Sequence, residues 1–99
     1  MIRIVKMTFD PEKVNEFLAN FEEVKHQIRA FDGVQHLELL NDKNKPNIYF
    51  TYSIWESEEH LNAYRHSDLF QSVWAVTKPM FIEKADAWSL DSMSKCEKG

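Results

Sequence analysis

The chain has 99 residues, of which 43% are hydrophobic and 28% charged; that is enough for one packed domain, too little for two, and not the balance of a disordered chain. Twelve Lys and Arg stand against 16 Asp and Glu, a formal charge of −4, so a nucleic-acid backbone is a poor partner. No apolar run approaches the ~18 residues that cross a bilayer. Met1-Ile2-Arg3-Ile4-Val5-Lys6 carries charge too early for a secretory leader, and the single Cys96 can form neither an internal disulfide nor a thiolate cage. A cytoplasmic protein with no metal, no nucleic acid and no membrane partner is the expectation.

The first element is a strand over Ile2 to Phe9, with Ile2, Ile4, Lys6 and Thr8 on one side and Arg3, Val5, Met7 and Phe9 on the other. Asp10-Pro11-Glu12 then starts a helix: Asp suits the cap, Pro the first helical position, and Glu the positive end of the helix dipole. That helix runs to about Arg29. Val14, Phe17, Leu18, Phe21, Val24 and Ile28 recur at helical spacing as one apolar stripe. Phe31-Asp32-Gly33 closes it, with Gly33 free to take a positive φ. Two strands follow, Val34 to Leu40 and Asn47 to Trp55, joined by the polar turn Asn41 to Pro46. Ser57 caps a short helix carrying Leu61 and Tyr64. Ser67-Asp68 caps another, with Phe70, Val73, Trp74 and Thr77 on one stripe and Pro79 at its end. A last strand spans Met80 to Leu90, and residues 91–99 form a polar tail beyond a single domain of residues 1–90.

The order β-α-β-β-α-β predicts an α+β, ferredoxin-like domain: one antiparallel sheet with its helices on a single face. The helices cover one side of the sheet, yet every strand carries bulky apolar groups on both. A large apolar patch is unusual on a soluble monomer, so a homodimer joined through the sheet faces is expected.

The stretch Tyr52-Ser53-Ile54-Trp55-Glu56-Ser57-Glu58-Glu59-His60-Leu61, a strand ending in Trp followed by acids and a helix, resembles the antibiotic biosynthesis monooxygenase family. Ser67-Asp68-Leu69-Phe70 matches a further segment common in that family, and the likeness covers Ile2 to about Leu90. The resemblance implies a dimeric α+β barrel with a pocket between sheet and helices in each unit. It also implies oxygenation of quinol-like or polyketide aromatics without metal or flavin. The family has haem-degrading members too, which place a Trp in the short helix, a His ten residues later as the iron ligand, and an Asn on the first strand. Here those helical positions hold Tyr64 and Trp74, and Ile2 to Phe9 has no Asn. An indole nitrogen is a donor only and does not ligate iron as imidazole does, so haem chemistry is disfavoured. Many non-haem members carry a His where Tyr64 stands, so this chain departs from them as well.

Oxygenation without a cofactor needs an apolar pocket, a base and hydrogen-bond donors for developing charge. Trp55, Phe70 and Trp74 are candidates for the pocket wall, Tyr52 for a substrate hydrogen bond, and Tyr64, His66 and His36 for catalysis. An unperturbed imidazole changes charge near neutrality, the reason for choosing histidines as base candidates, and Glu38 shares a strand face with His36. The same aromatics equally suit a packed core, which leaves a second reading open: a non-catalytic dimeric module that binds a small hydrophobic molecule.

Overall fold

Seven elements build the computed structural model, which describes residues 1–99: β1 (Ile2–Thr8), α1 (Val14–Arg29), β2 (Val34–Asn41), β3 (Ile48–Trp55), α2 (Glu58–Arg65), α3 (Asp68–Thr77) and β4 (Asp86–Leu90). The sheet is antiparallel throughout, in the order β2-β3-β1-β4. This is the ferredoxin-like α+β architecture that the order of elements predicts.

Local chemistry sets the boundaries. The Asp10 carboxylate accepts from Glu12 N–H at 3.0 Å, but Pro11–Lys13 form a single 3-10 turn, so α1 proper begins three residues later than its cap suggests. The Ser57 and Ser67 hydroxyls accept from the backbone N–H groups of His60 and Phe70, which satisfies donors that the first helical turn leaves unpaired. Gly33 adopts φ 90°, and a Cβ there would collide with the His60 side chain, so both backbone shape and space require glycine.

The last strand is shorter than the sequence pattern implies. Met80 belongs to a 3-10 turn, Phe81 forms only a bridge to Phe9, and regular pairing starts at Asp86. Lys6 pairs with Asp86 and Phe9 with Phe81, so a four-residue stretch of β1 faces a six-residue stretch of the incoming chain. Two residues are extra and loop out. Because the excess is even, alternation is preserved: Ala85 and Ala87 stay on the helix side and Trp88 on the other.

On the helix side the core divides in two. Met7, Phe9, Phe17, Tyr49 and Met80 form one buried cluster; Ile28, Val34, Trp55, Leu61 and Tyr64 form the other. The sheet explains the gap. Its register places Leu37, Ser53, Arg3 and Ser89 in one cross-strand row and Leu39, Thr51, Val5 and Ala87 in the next. From β3 to β4 these rows carry short side chains, with Arg3 the one long exception. They lie between the bulk of Tyr49 and Met7 on one side and Trp55 on the other.

The opposite face carries three rows: His36, Ile54, Ile2, Leu90; Glu38, Tyr52, Ile4, Trp88; and Leu40, Phe50, Lys6, Asp86. No helix covers them. Trp88 keeps 44% of its surface exposed and Leu90 48%.

Candidate functional site

The short rows leave a cavity of about 350 Å³ between the sheet and all three helices. Its floor is Val5, Thr51, Ser53 and Ala87. Phe17, Phe21 and Ile28 of α1 close one side, and Tyr64, Phe70, Val73 and Trp74 of α2 and α3 form the roof. A space of this size, lined mainly by apolar groups with a few polar ones, is typical of a small-molecule site.

The aromatic wall is continuous. Trp55 packs on Tyr64 with ring centroids 5.3 Å apart, Tyr64 meets Phe70 edge-on at 5.3 Å, and Phe70 stacks on Trp74 at 5.8 Å. Each ring comes from an element end or stripe that the sequence already marks: Trp55 ends β3, Tyr64 lies one turn beyond Leu61, and Phe70 and Trp74 are four apart on α3.

The polar groups divide into occupied and free. The Trp55 indole N–H donates to Ser53 Oγ at 3.0 Å, and Ser53 Oγ donates to the Arg3 carbonyl at 3.4 Å. Thr77 Oγ1 donates to the Val73 carbonyl at 2.8 Å. No protein group hydrogen-bonds the Tyr64 hydroxyl. Since no buried polar side-chain atom is left unsatisfied, that hydroxyl opens into the cavity. Burial pushes the Tyr64 phenol up to about 12, so it stays protonated at any physiological pH and acts as a donor.

The cavity also holds Arg3 and Arg65. Arg3 donates to Ser89 Oγ at 2.9 Å. Partial burial, and then the nearby Arg65 charge, lower the Arg3 guanidinium from its ordinary value. His, Cys, Asp and Glu are absent from the lining, so the cavity offers no imidazole or thiolate to an iron and no carboxylate to a metal.

Of the side chains singled out in the sequence, the fold thus gathers Trp55, Tyr64, Phe70 and Trp74. It places the other three elsewhere. His36 and Tyr52 stand on the opposite sheet face, where His36 Nε2 lies 3.0 Å from Glu38 Oε1 and its ring meets Tyr52 edge-on at 5.5 Å. Alternation along β2 and β3 puts them there: Leu37 and Ser53 are the residues whose parity reaches the cavity. His66 ends α2, exposed, with Nδ1 2.7 Å from the Asn62 carbonyl. Tyr49, the other strand tyrosine, is sealed in the far cluster. Arg3 and Arg65 are the polar residues that motif reading passed over. The available signal was parity: Arg3 is a charge on the same strand face as Val5, Met7 and Phe9.

Residues 1–75 match the family described as antibiotic biosynthesis monooxygenase. The chain belongs to that family. No curated protein matches it. Among solved structures it is similar to an antibiotic biosynthesis monooxygenase with a TM-score of 0.87 at 14% identity, covering 95% of this chain and 100% of that one. A conserved protein from Methanosarcina mazei Go1 gives 0.81 at 22% identity, covering 87% of this chain and 86% of that one. A Mycobacterium tuberculosis protein gives 0.81 at 17%, covering 94% and 97%. At such identities these structures establish the fold alone. The segment matched to the antibiotic biosynthesis monooxygenase family contains Arg3, Trp55, Tyr64, Arg65, Phe70 and Trp74, whereas Ala85 and Ala87 of the cavity wall lie beyond it. No helix is long and apolar enough to cross a membrane.

Proposed function

We propose that this member of the antibiotic biosynthesis monooxygenase family oxygenates a small aromatic or quinol-like compound without metal or flavin, in the cytoplasm and as a homodimer. The observation that carries the reading is the apolar, aromatic-walled cavity of about 350 Å³ with one unpartnered phenol, Tyr64, inside it. A planar ring is held by the faces of Trp55, Phe70 and Trp74. Its ionised oxygen accepts from the Tyr64 hydroxyl, which donates without giving up its proton. The electron-rich anion reduces dioxygen, and the oxygen species recombines with a ring carbon. Loss of water then leaves a carbonyl, with one oxygen atom in the product and the other in water; the substrate supplies the electrons. No imidazole or carboxylate lines the cavity, so the substrate proton leaves to solvent rather than to His36 or His66, neither of which reaches it.

Oxygen consumption with a panel of hydroquinones tests the proposal. Turnover is expected, with kcat lowered roughly a hundredfold in Tyr64→Phe, the scale of one lost oxyanion donor. The absence of a carboxylate or imidazole base from the cavity favours a second reading, binding without turnover. Compounds that raise the melting temperature but consume no oxygen would establish it.

The dimer belongs to the same proposal. Ile2, Ile4, Phe50, Ile54, Trp88 and Leu90 form an apolar field on the uncovered face, and a second copy meeting it sheet to sheet removes that field from water. Sedimentation is expected to show a dimer that Trp88→Glu converts to monomer. A native protein that sediments as a monomer at micromolar concentration rejects this part.

A further inference from the structure

The oxygenase reading leaves two charges unused. Arg3 on β1 and Arg65 at the end of α2 both line the cavity. Neither is in an ion pair: the six pairs in the molecule involve Lys13, Lys25, His36, two contacts of His60, and Lys95. Both guanidiniums border the same apolar space, where two like charges repel until an anion lies between them. Arg3 is also held in place. Its carbonyl accepts from Ser53 Oγ and its side chain donates to Ser89 Oγ, so β3 and β4 both fix the strand position from which the guanidinium projects.

We propose that Arg3 and Arg65 form the anion-binding end of the cavity, so that its ligand is an aromatic acid: a planar apolar body carrying an ionised oxygen, as in a carboxylate or a phenolate. The proposal rests on the cavity being the ligand site, as the preceding reading holds, and adds the charge of what enters it. The aromatic wall from Trp55 to Trp74 takes the ring. The guanidinium pair takes the oxygen and favours its ionised form, because opposite charge lowers the pKa of an acid. That supplies by electrostatics what the cavity lacks in bases. Both arginines donate in planar forks that suit a carboxylate better than an ammonium would.

Titration of the full-length protein with 2-naphthoate and with its neutral isostere 2-naphthamide, followed by tryptophan fluorescence, tests the assignment. Naphthoate is expected to bind roughly tenfold tighter, the scale of a charge-assisted hydrogen bond. Its affinity falls with added salt while that of the amide does not. The preference shrinks in Arg65→Gln, shrinks in Arg3→Gln, and vanishes in the double variant; Arg3→Lys restores part of it. The ratio of the two affinities is an internal control, since a misfolded variant loses both ligands together. The ionised-phenol source is separated by 2-naphthol titrated across its pKa, which gains affinity on ionisation if phenolates are also accepted. Equal affinity for acid and amide, no binding of either, or a preference untouched by the double variant overturns the proposal. A charge preference without oxygen consumption leaves the anion site standing and removes the oxygenase. Oxygen consumption without a charge preference does the reverse.

Discussion

The two ends of the helix-side core use the same kinds of residue to opposite effect. At one end Phe9 is 0% exposed and stacks on Phe17 at 4.1 Å, with Tyr49 and Phe81 against its other sides. At the other, Trp55 and Tyr64 are also buried but border open space. Aromatic content does not separate them; the sheet beneath does. Met7 and Tyr49 fill the floor of the first, whereas Ser53, Thr51, Val5 and Ala87 leave the floor of the second low. A cavity in this fold is therefore made by small side chains on strands, and the aromatic roof becomes a binding wall only because nothing rises to meet it.

That contrast can be broken most forcefully at the closed end. Phe9→Ala should cost about 3–5 kcal/mol, the range for deleting a buried Phe, read as a large drop in denaturation midpoint. At the open end Ala87→Phe should do the opposite: it raises the floor into empty space, with stability shifting by less than about 1.5 kcal/mol, while binding of naphthoate or a hydroquinone falls severalfold or more. Smaller still is the effect of Tyr64→Phe near neutral pH, where the lost hydroxyl had no protein partner and the change in stability should stay within ~0.5 kcal/mol. Its signature appears in alkali. The Tyr64 phenol titrates near 12 when folded against an ordinary value of 10.0. Stability from keeping it neutral is thus complete below pH 10 and is lost between 10 and 12, as the unfolded chain ionises first. The native protein should lose stability faster than Tyr64→Phe over that window in urea titrations. His66→Ala, outside the cavity, should leave both ligand binding and stability nearly unchanged.

Much of the architecture was legible because it is written in local chemistry. The α1 stripe, the Ser57 and Ser67 caps, the Asp10-Pro11 start and Gly33 each state their role within a few residues. Strand parity was legible too, and Ile4 with Lys6 against Val5 with Met7 separates correctly. What the sequence does not say is which parity faces the helices, because both faces are apolar. Hence His36 and Tyr52 were candidates alongside Tyr64, although a sheet stands between them. The break before Asp86 was hidden for a related reason: a two-residue bulge preserves alternation, so Met80 to Leu90 reads as one strand. Arg3 and Arg65 were missed because they are 62 positions apart and meet only as parts of the cavity lining.

The two extra residues between Phe81 and Asp86 set where the final strand comes to rest, and with it the position of Ala85, Ala87 and the Ser89 hydroxyl that steadies Arg3. All of these lie past residue 75, where the match to the family ends. The matched segment supplies ceiling and charge, while the remainder supplies one side of the container. Two proteins alike up to that point would admit different guests if their closing strands differed in bulk or landed two residues out of step. Chimeras exchanged after residue 75 would therefore move selectivity from one relative to another while leaving the aromatic wall in place.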